Sequence, residues 1–223
     1  MTTAESTGLK ITSISVQAKN KNRVNVFVNG KYRFSVDIFQ VSELGLKVGK
    51  AFSPDQLNNI ETEGQYSKLY SRALEYSLVR PRSRKEMRDY LWKKTLDKKY
   101  RAKSGEVVVR PGLPVEVTNR VLDRLVEKGY VNDESFACWW VECRNQTKGA
   151  SRRKLQSELL AKGINHDLIE KALAEANRND REEILKIIAK KQKRYPDKKK
   201  FVAYLVRQGF SYDDVQSALD DFK

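Results

Sequence analysis

Lysine and arginine gather in three clusters along this chain. The first is Arg80, Arg82, Arg84, Lys85, Arg88, Lys93 and Lys94. The second is Arg144, Lys148, Arg152, Arg153 and Lys154, and the third is Lys190, Lys191, Lys193, Arg194, Lys198, Lys199 and Lys200. Ammonium and guanidinium groups at this density suit a phosphate backbone or an acidic protein groove. The whole chain agrees, since 44 Lys+Arg stand against 29 Asp+Glu for a net charge of +15. That balance predicts an anionic partner: nucleic acid, an acidic protein or a membrane surface. No apolar run approaches the roughly 18 residues that would span a bilayer. The contact residues expected from these clusters and from the chain's end are Arg82, Arg84, Lys85, Arg88, Arg144, Lys148, Arg152, Arg153, Lys154, Lys198, Lys199, Lys200 and Arg207. The competing reading is a set of solvated helix faces.

Catalytic chemistry finds little to use. There is no GxxxxGK phosphate loop, no HExxH and no paired-cysteine motif. His166 is the single histidine, so a Ser-His or Cys-His nucleophile would have to be built around it. It follows Gly163 in a turn between two helices, a place for packing or capping. Tyr195 after basic residues has the look of a strand-cleaving tyrosine, but that chemistry needs a larger Arg/Lys/His set than one histidine allows. Asp213-Asp214 lies at a helix start, where carboxylates favour the positive end of the dipole. Cys138 and Cys143 are five apart on a predicted helix and point in different directions, which argues against a disulfide or a metal site. No catalytic residue, metal or cofactor is expected. Phe136 and Trp140 share a helix face and read as core. Trp139 points elsewhere, either packed between units or exposed as a contact.

The elements that hold these residues change character near residue 50. ITSISVQAK and RVNVFVNGKYRFSVD are rich in β-branched and aromatic residues, and Asn29-Gly30 between VNVFV and KYRFSV is a hairpin signal. They predict a small antiparallel sheet over about residues 9–37. From Ser53 the pattern is helical. Ser53-Pro54-Asp55-Gln56 combines an N-cap, a first-turn proline and a capping box. Helix then runs with interruptions to Val79, and Arg80-Pro81 breaks it. Ser83 and Glu86 form a second capping box. Lys98 to Pro114 reads as an irregular inserted loop. The remaining helices fall at about 115–128, 133–147, 151–162, 166–177, 180–194, 197–208 and 211–222.

These helices repeat. Arg153–Leu173 aligns without a gap on Lys199–Leu219, an offset of 46 residues. Six pairs are identical: Lys154/Lys200, Leu159/Leu205, Gly163/Gly209, Asp167/Asp213, Ala172/Ala218 and Leu173/Leu219. Leu155/Phe201, Ile164/Phe210 and Ile169/Val215 exchange one apolar residue for another. A three-helix unit of this kind cannot bury its apolar face alone and must stack on its neighbours. The expected fold is mainly α: an elongated array of three tandem three-helix repeats after a small N-terminal antiparallel β-domain. The expected boundaries are 1–52 for the β-domain, 53–130 for the first repeat with its leading helix and the inserted loop 98–114, 131–178 for the second and 179–223 for the third. Hydrophobic residues make up 39% and charged residues 33%, a thin core that fits such an array.

Several strings together resemble the RecX family of bacterial regulators. They are Ala73-Leu74-x-Tyr76 and Arg80-Pro81-Arg82-Ser83-x-Lys85-Glu86; then Leu122-x-x-Leu125-x-x-Lys128-Gly129-Tyr130-Val131-Asn132-Asp133-x-x-Phe136-Ala137 and Trp140-Val141-x-x-Arg144; and then Lys148-Gly149-x-Ser151, Glu158-Leu159-x-x-Lys162-Gly163-Ile164 and Arg207-Gln208-Gly209-Phe210-Ser211. Their order across about residues 66–222 makes the match specific, and the N-terminal strands look like the small β-domain of many members. The loop at 98–114 is longer than the family pattern, and Asn132 stands where aspartate is more usual. The resemblance implies a non-enzymatic regulator of homologous recombination and DNA repair. It would bind the RecA–single-stranded DNA filament and inhibit its ATPase and strand exchange, as a cytoplasmic monomer. The alternative is a general basic DNA-binding protein without a recombinase partner. The start of the chain, MTTAESTGLKITS, lacks a basic n-region and an apolar h-region, and with two cysteines a reducing cytosol is the expected setting.

Overall fold

The structure, a computed structural model, describes residues 8–102, 104–146, 148–176 and 178–221. The chain divides into two compact bodies. One holds the chain up to Val79 together with Arg88–Lys128, and the other holds Arg80–Met87 with Gly129–Lys223.

The first body opens with β1 (Leu9–Val16), β2 (Arg23–Val28) and β3 (Lys31–Asp37), joined as an antiparallel meander with the expected turn at Asn29-Gly30. A short helix α1 (Ile38–Glu43) follows, and β4 (Ala51–Phe52) then pairs on the far side of β1, giving the order β3-β2-β1-β4. Neither α1 nor β4 is foreseen by the sequence reading. Alternation puts Ile11, Val24, Val26, Phe34 and Val36 into the core, and Leu57 and Ile60 belong to the same cluster. Those two lie on α2 (Pro54–Leu78), which opens with the expected capping box: Ser53 accepts from the Gln56 amide, and the Gln56 side chain answers to the Ser53 amide. The expected interruptions in this segment do not occur; α2 is one uninterrupted helix of 25 residues. Gly64, within this helix, allows close packing on β3. A Cβ there would lie 2.8 Å from the Ser35 carbonyl oxygen. The buried Arg23 fixes the same contact, donating to the carbonyls of Ser35 at 2.7 Å and Gly64 at 3.2 Å.

The inserted stretch 98–114 is not irregular. It contains an antiparallel hairpin, β5 (Lys98–Arg101) and β6 (Val107–Arg110), with a turn around Gly105. The flanking glycine and prolines mask two short strands too exposed to carry an apolar alternation. Helix α4 (Val115–Glu127) follows and packs on α2. Helix α3 (Arg84–Trp92) opens at the second capping serine, Ser83.

The second body carries two repeats: α5 (Asp133–Cys143), α6 (Arg152–Ala161) and α7 (His166–Glu175), then α8 (Asp180–Lys191), α9 (Lys198–Arg207) and α10 (Tyr212–Asp221). Helix α8 stops short of the expected Arg194, the last residues Gln192–Arg194 forming a 3₁₀ turn. Helix α5 also stops short of its expected end, since Arg144 is an extended C-cap and residues 144–146 form a turn. The expected end positions 147, 177 and 222 themselves lie outside the described residues. Matched repeat positions are matched in the core: Leu155 and Phe201, Leu159 and Leu205, Ile164 and Phe210, Ile169 and Val215, and Ala172 and Ala218 are all buried. Each repeat closes its own apolar cluster.

In an exposed helix Gly→Ala stabilises by about 1 kcal/mol. At Gly64 the added methyl meets backbone, so Gly64→Ala should instead destabilise by about 1–3 kcal/mol. Urea unfolding followed by far-UV circular dichroism checks the sign.

Candidate functional site

The cationic helix starts are positioned by a joint that recurs between successive repeats. At the first joint the buried Ser83 caps α3, accepting from the Glu86 amide at 3.1 Å. Its hydroxyl donates onward to the Lys162 carbonyl at 2.9 Å, at the C-terminal end of the next repeat's middle helix. The Arg84 amide donates to Asp133 at 2.7 Å, and Asp133 opens that next repeat. At the second joint the buried Ser151 caps α6, accepting from the Lys154 amide at 3.1 Å and donating to the Gln208 carbonyl at 2.7 Å. The Arg152 amide donates to Asp180 at 2.8 Å. The third residue of the middle helix also reaches across in both places: Glu86 accepts from Lys162 at 2.7 Å, and Lys154 donates to Gln208 Oε1 at 2.8 Å. Gly163 and Gly209 complete the joint. Both have positive φ, and a Cβ on them would press on Lys85 and on Ser151 Oγ. Capping therefore couples one repeat to the next, because a single hydroxyl both ends one helix and holds another.

Three carboxylates tie this body together. Arg144 grips Glu158 with two hydrogen bonds, at 2.8 and 3.0 Å, and the Trp140 indole adds a third at 3.1 Å. Glu183, almost fully buried, receives Arg178, Lys186 and the Ala150 amide. Burial alone would raise Glu86, Glu158 and Glu183. Hydrogen bonds from Arg80 and Lys162, from Arg144, and from Arg178 and Lys186 respectively outweigh it and hold all three below the ordinary glutamate value. Asp180 goes the other way: burial raises it against the Arg152 amide, with Asp214 and Glu183 adding to the rise.

The expected contact residues thus divide. Arg144, Arg152 and Lys154 serve the body's own bonds, Arg152 through Glu170 at 3.1 Å and the Leu173 carbonyl at 3.2 Å. Arg82 stands 4.0 Å from Glu86, Lys85 donates to the Ala161 carbonyl at 2.9 Å, and Lys198 donates to Asp220 at 3.1 Å. Arg84, Arg88, Lys148, Arg153, Lys199, Lys200 and Arg207 are exposed, and among the described residues their side chains make no ion pair. Arg84 and Arg88 lie one turn apart on α3, so they share a face. Arg153 and Lys199 occupy equivalent second positions of their helices. Trp139 is no exposed anchor: it packs on Phe136, with the Arg80 guanidinium 5.3 Å from its ring centre. His166 is the exposed first residue of α7 and the cap is Asn165, so it neither caps nor packs in the turn as expected. Asp213 and Asp214 lie in the first turn of α10, where the helix dipole favours them, while Ser211 accepts from the Asp214 amide. Sequence reading missed Arg178, which donates to the Val141 and Arg144 carbonyls as well as to Glu183. Its signal was weak, a lone arginine just before a capping asparagine.

The repeat with its shared caps has relatives. The family model for the regulatory protein RecX N-terminal domain matches residues 9–53, and that for the RecX second three-helix domain matches residues 132–173. A regulatory protein RecX of Bacillus subtilis is 33% identical over 96% of this chain and 77% of its own. The chain belongs to the RecX family. RecX of Listeria monocytogenes serovar 1/2a is 28% identical over 94% of this chain and 74% of its own length. A crystal structure of regulatory protein RecX superposes with a TM-score of 0.63 at 24% identity, covering 95% of this chain and 99% of that one. RecX from Lactobacillus salivarius superposes at 0.52 with 23% identity, over 70% of this chain and 95% of its own. These likenesses bear out the mainly helical fold with its N-terminal sheet, and the family is one of regulatory proteins. Among the described residues no helix of this RecX-family chain is long and apolar enough to cross a membrane.

Removing the shared hydroxyl strands two partners at once. Ser151→Ala should cost about 1–3 kcal/mol, whereas Lys199→Ala should stay within about 0.5 kcal/mol; urea unfolding followed by tryptophan fluorescence separates them. The lowered carboxylates give the pH trend. Their contribution is complete above the ordinary glutamate value of 4.5 and is lost as pH falls below it and each is protonated. Melting temperature measured from pH 7 to pH 3 should fall chiefly below 4.5, and Glu183→Gln should flatten the fall.

Proposed function

We propose that this chain binds the RecA–single-stranded DNA filament and restrains its ATP hydrolysis and strand exchange. The observation that carries the reading is the set of exposed cations left without an internal partner. Arg84, Arg153, Lys199 and Lys200 lie in the first turns of the middle helices of successive repeats, and Arg88, Lys148 and Arg207 lie near them in sequence. Family membership supports a regulatory role rather than a catalytic one. Repeats coupled through their caps would present these charges at a fixed spacing. A repeating filament, with its own periodic acidic groups and phosphates, is the kind of surface such a row can engage at several points. Engaging neighbouring subunits at once would oppose the subunit movements that accompany ATP turnover.

The contact residues are proposed to be Arg84, Arg88, Lys148, Arg153, Lys199, Lys200 and Arg207. The side chains of Arg82, Lys85, Arg144, Arg152, Lys154 and Lys198 hold the fold and would contribute charge more than contact.

The test is single-stranded-DNA-dependent ATP hydrolysis by a bacterial RecA, titrated with this protein at fixed salt. Inhibition well below one protein per RecA supports filament binding. Inhibition that appears only when the DNA is saturated, and that excess DNA removes, would instead indicate simple competition for the strand. Unchanged hydrolysis and filament length at saturating protein would overturn the reading. The double change Lys199→Glu with Lys200→Glu should raise the half-inhibiting concentration by about tenfold, equivalent to about 1.4 kcal/mol. It should leave stability intact, because acidic residues favour a helix N-terminus.

A further inference from the structure

The first body contains a cationic cavity that the filament reading does not use. It has a volume of about 350 Å³ and is lined from β3, α2 and the segment that carries the β5–β6 hairpin. That size lies in the range of small-molecule sites. Lys68 and Arg72 come from α2, Lys94 from the turn after α3, and Lys98 and Arg110 from the hairpin. Lys98 and Arg110 are direct cross-strand partners. Like charges so placed repel and weaken a sheet. Among the described residues none of these five side chains makes an ion pair, and the one carboxylate in the lining, Glu61, already pairs with Arg33 at 3.2 Å.

The cost of assembling these charges is visible in their acidity. Burial lowers Lys68, and Arg72, Arg23 and Arg110 lower it further. Burial lowers Lys94, and Lys98, Arg72 and Lys93 add to it. A solvated face would spread such charges apart; here three separate elements bring them to one concavity. The walls are firm. Gly64 sits against Ser35, and a Cβ on Gly112 would run into the Thr95 carbonyl. The lining is also mixed in character. Phe34 and Leu69 are buried, Leu113 is partly so, and the Gln65 Oε1 is buried without a hydrogen-bond donor.

We propose that this cavity binds a small oligophosphate, and that the ligand class it fits is a nucleoside di- or triphosphate. Several negative charges on one compact group would answer five unpaired cations, which a single phosphate would leave mostly unbalanced. The apolar lining accepts the face of a base. No Gly-rich phosphate loop is present, so the site is one of binding, with no hydrolysis assigned to it. It is independent of the filament reading, since it lies wholly in the first body and uses none of the residues named there.

The experiment is isothermal titration calorimetry of the full chain with ADP, ATP, inorganic tripolyphosphate and a short oligothymidylate, without divalent cations and at low salt. ADP and ATP should bind one per chain. Arg72→Gln, which changes an exposed residue, should weaken them by about tenfold or more, with Lys98→Gln acting in the same direction. Lys199→Gln, in the other body, should leave them unchanged. Absence of heat with every oligophosphate, or equal weakening by Lys199→Gln, would overturn the site. Tripolyphosphate binding as tightly as ATP would overturn the nucleoside assignment. Oligothymidylate binding that Arg72→Gln weakens, with no binding of free nucleotide, would overturn it in favour of a strand. Melting curves of each variant with and without ATP separate lost binding from lost folding.

Discussion

The second body depends on a hydroxyl group that serves two helices. Ser83 and Ser151 each end a helix by accepting an amide hydrogen and hold the following repeat by donating to its last free carbonyl. A helix leaves unpaired amides at its start and unpaired carbonyls at its end. Placing the start of one beside the end of another lets one buried serine satisfy both. Such a bond is worth little in water but much once buried, because the alternative is an unpaired polar group in a dry site. Everything around the joint follows from its tightness. Glycine suits 163 and 209 because φ is positive at both, and a Cβ would press on Lys85 and on Ser151 Oγ. Aspartate opens each following repeat because its carboxylate takes the next amide of the same helix start.

This arrangement also decides which charges are available to a partner. The joints draw in residues that composition alone would place on the surface: Lys85 reaches the Ala161 carbonyl, Lys162 reaches Glu86 and Lys154 reaches Gln208. Arg144 and Arg178 are held by carboxylates and carbonyls. These cations count toward the net charge of +15 yet are committed to the fold. The remaining ones, at the second position of α6 and the second and third of α9, stand in register because the helices that carry them do.

Much of this was legible in the sequence where local chemistry and tertiary structure agree. Asn29-Gly30 set the hairpin, Ser53 with Gln56 set the start of α2, and the gapless match of Arg153–Leu173 with Lys199–Leu219 gave the repeat and its buried positions. What escaped was of two kinds. Elements stabilised by neighbours rather than by their own pattern carried no signal: β4 is two residues long, and the strands of the 98–110 hairpin are mostly exposed. Partners distant along the chain were equally silent. Nothing in RPRS or KGAS says that the serine hydroxyl donates to a carbonyl more than fifty residues away. The family strings contained those serines and the glycines that face them, but the reason for them is visible only once the repeats are stacked. The charge clusters do not show which of their members bond within the fold, since spacing cannot tell a committed lysine from a free one.

The third repeat shows how the device is switched off. Where Ser83 and Ser151 stand in the earlier repeats, α9 is capped by Asp197, which accepts from the Lys199 amide at 2.8 Å and the Lys200 amide at 3.3 Å. A carboxylate caps a helix as well as a hydroxyl does, but when ionised it has no hydrogen to donate. The local half of the joint is kept and the coupling half is lost, so α9 cannot hold a further repeat in the same way. The residues that follow are also altered. Lys200 takes the place of Lys154, and Lys198, Lys199 and Lys200 crowd the positive end of the helix dipole, an unfavourable place for cations. Stability alone would select acidic residues there, as it does at the start of α8, where Asp180, Glu182 and Glu183 fill the first turn. The lysine run at the start of α9 therefore stands against the preference of the helix dipole, and the stability of the helix does not account for it.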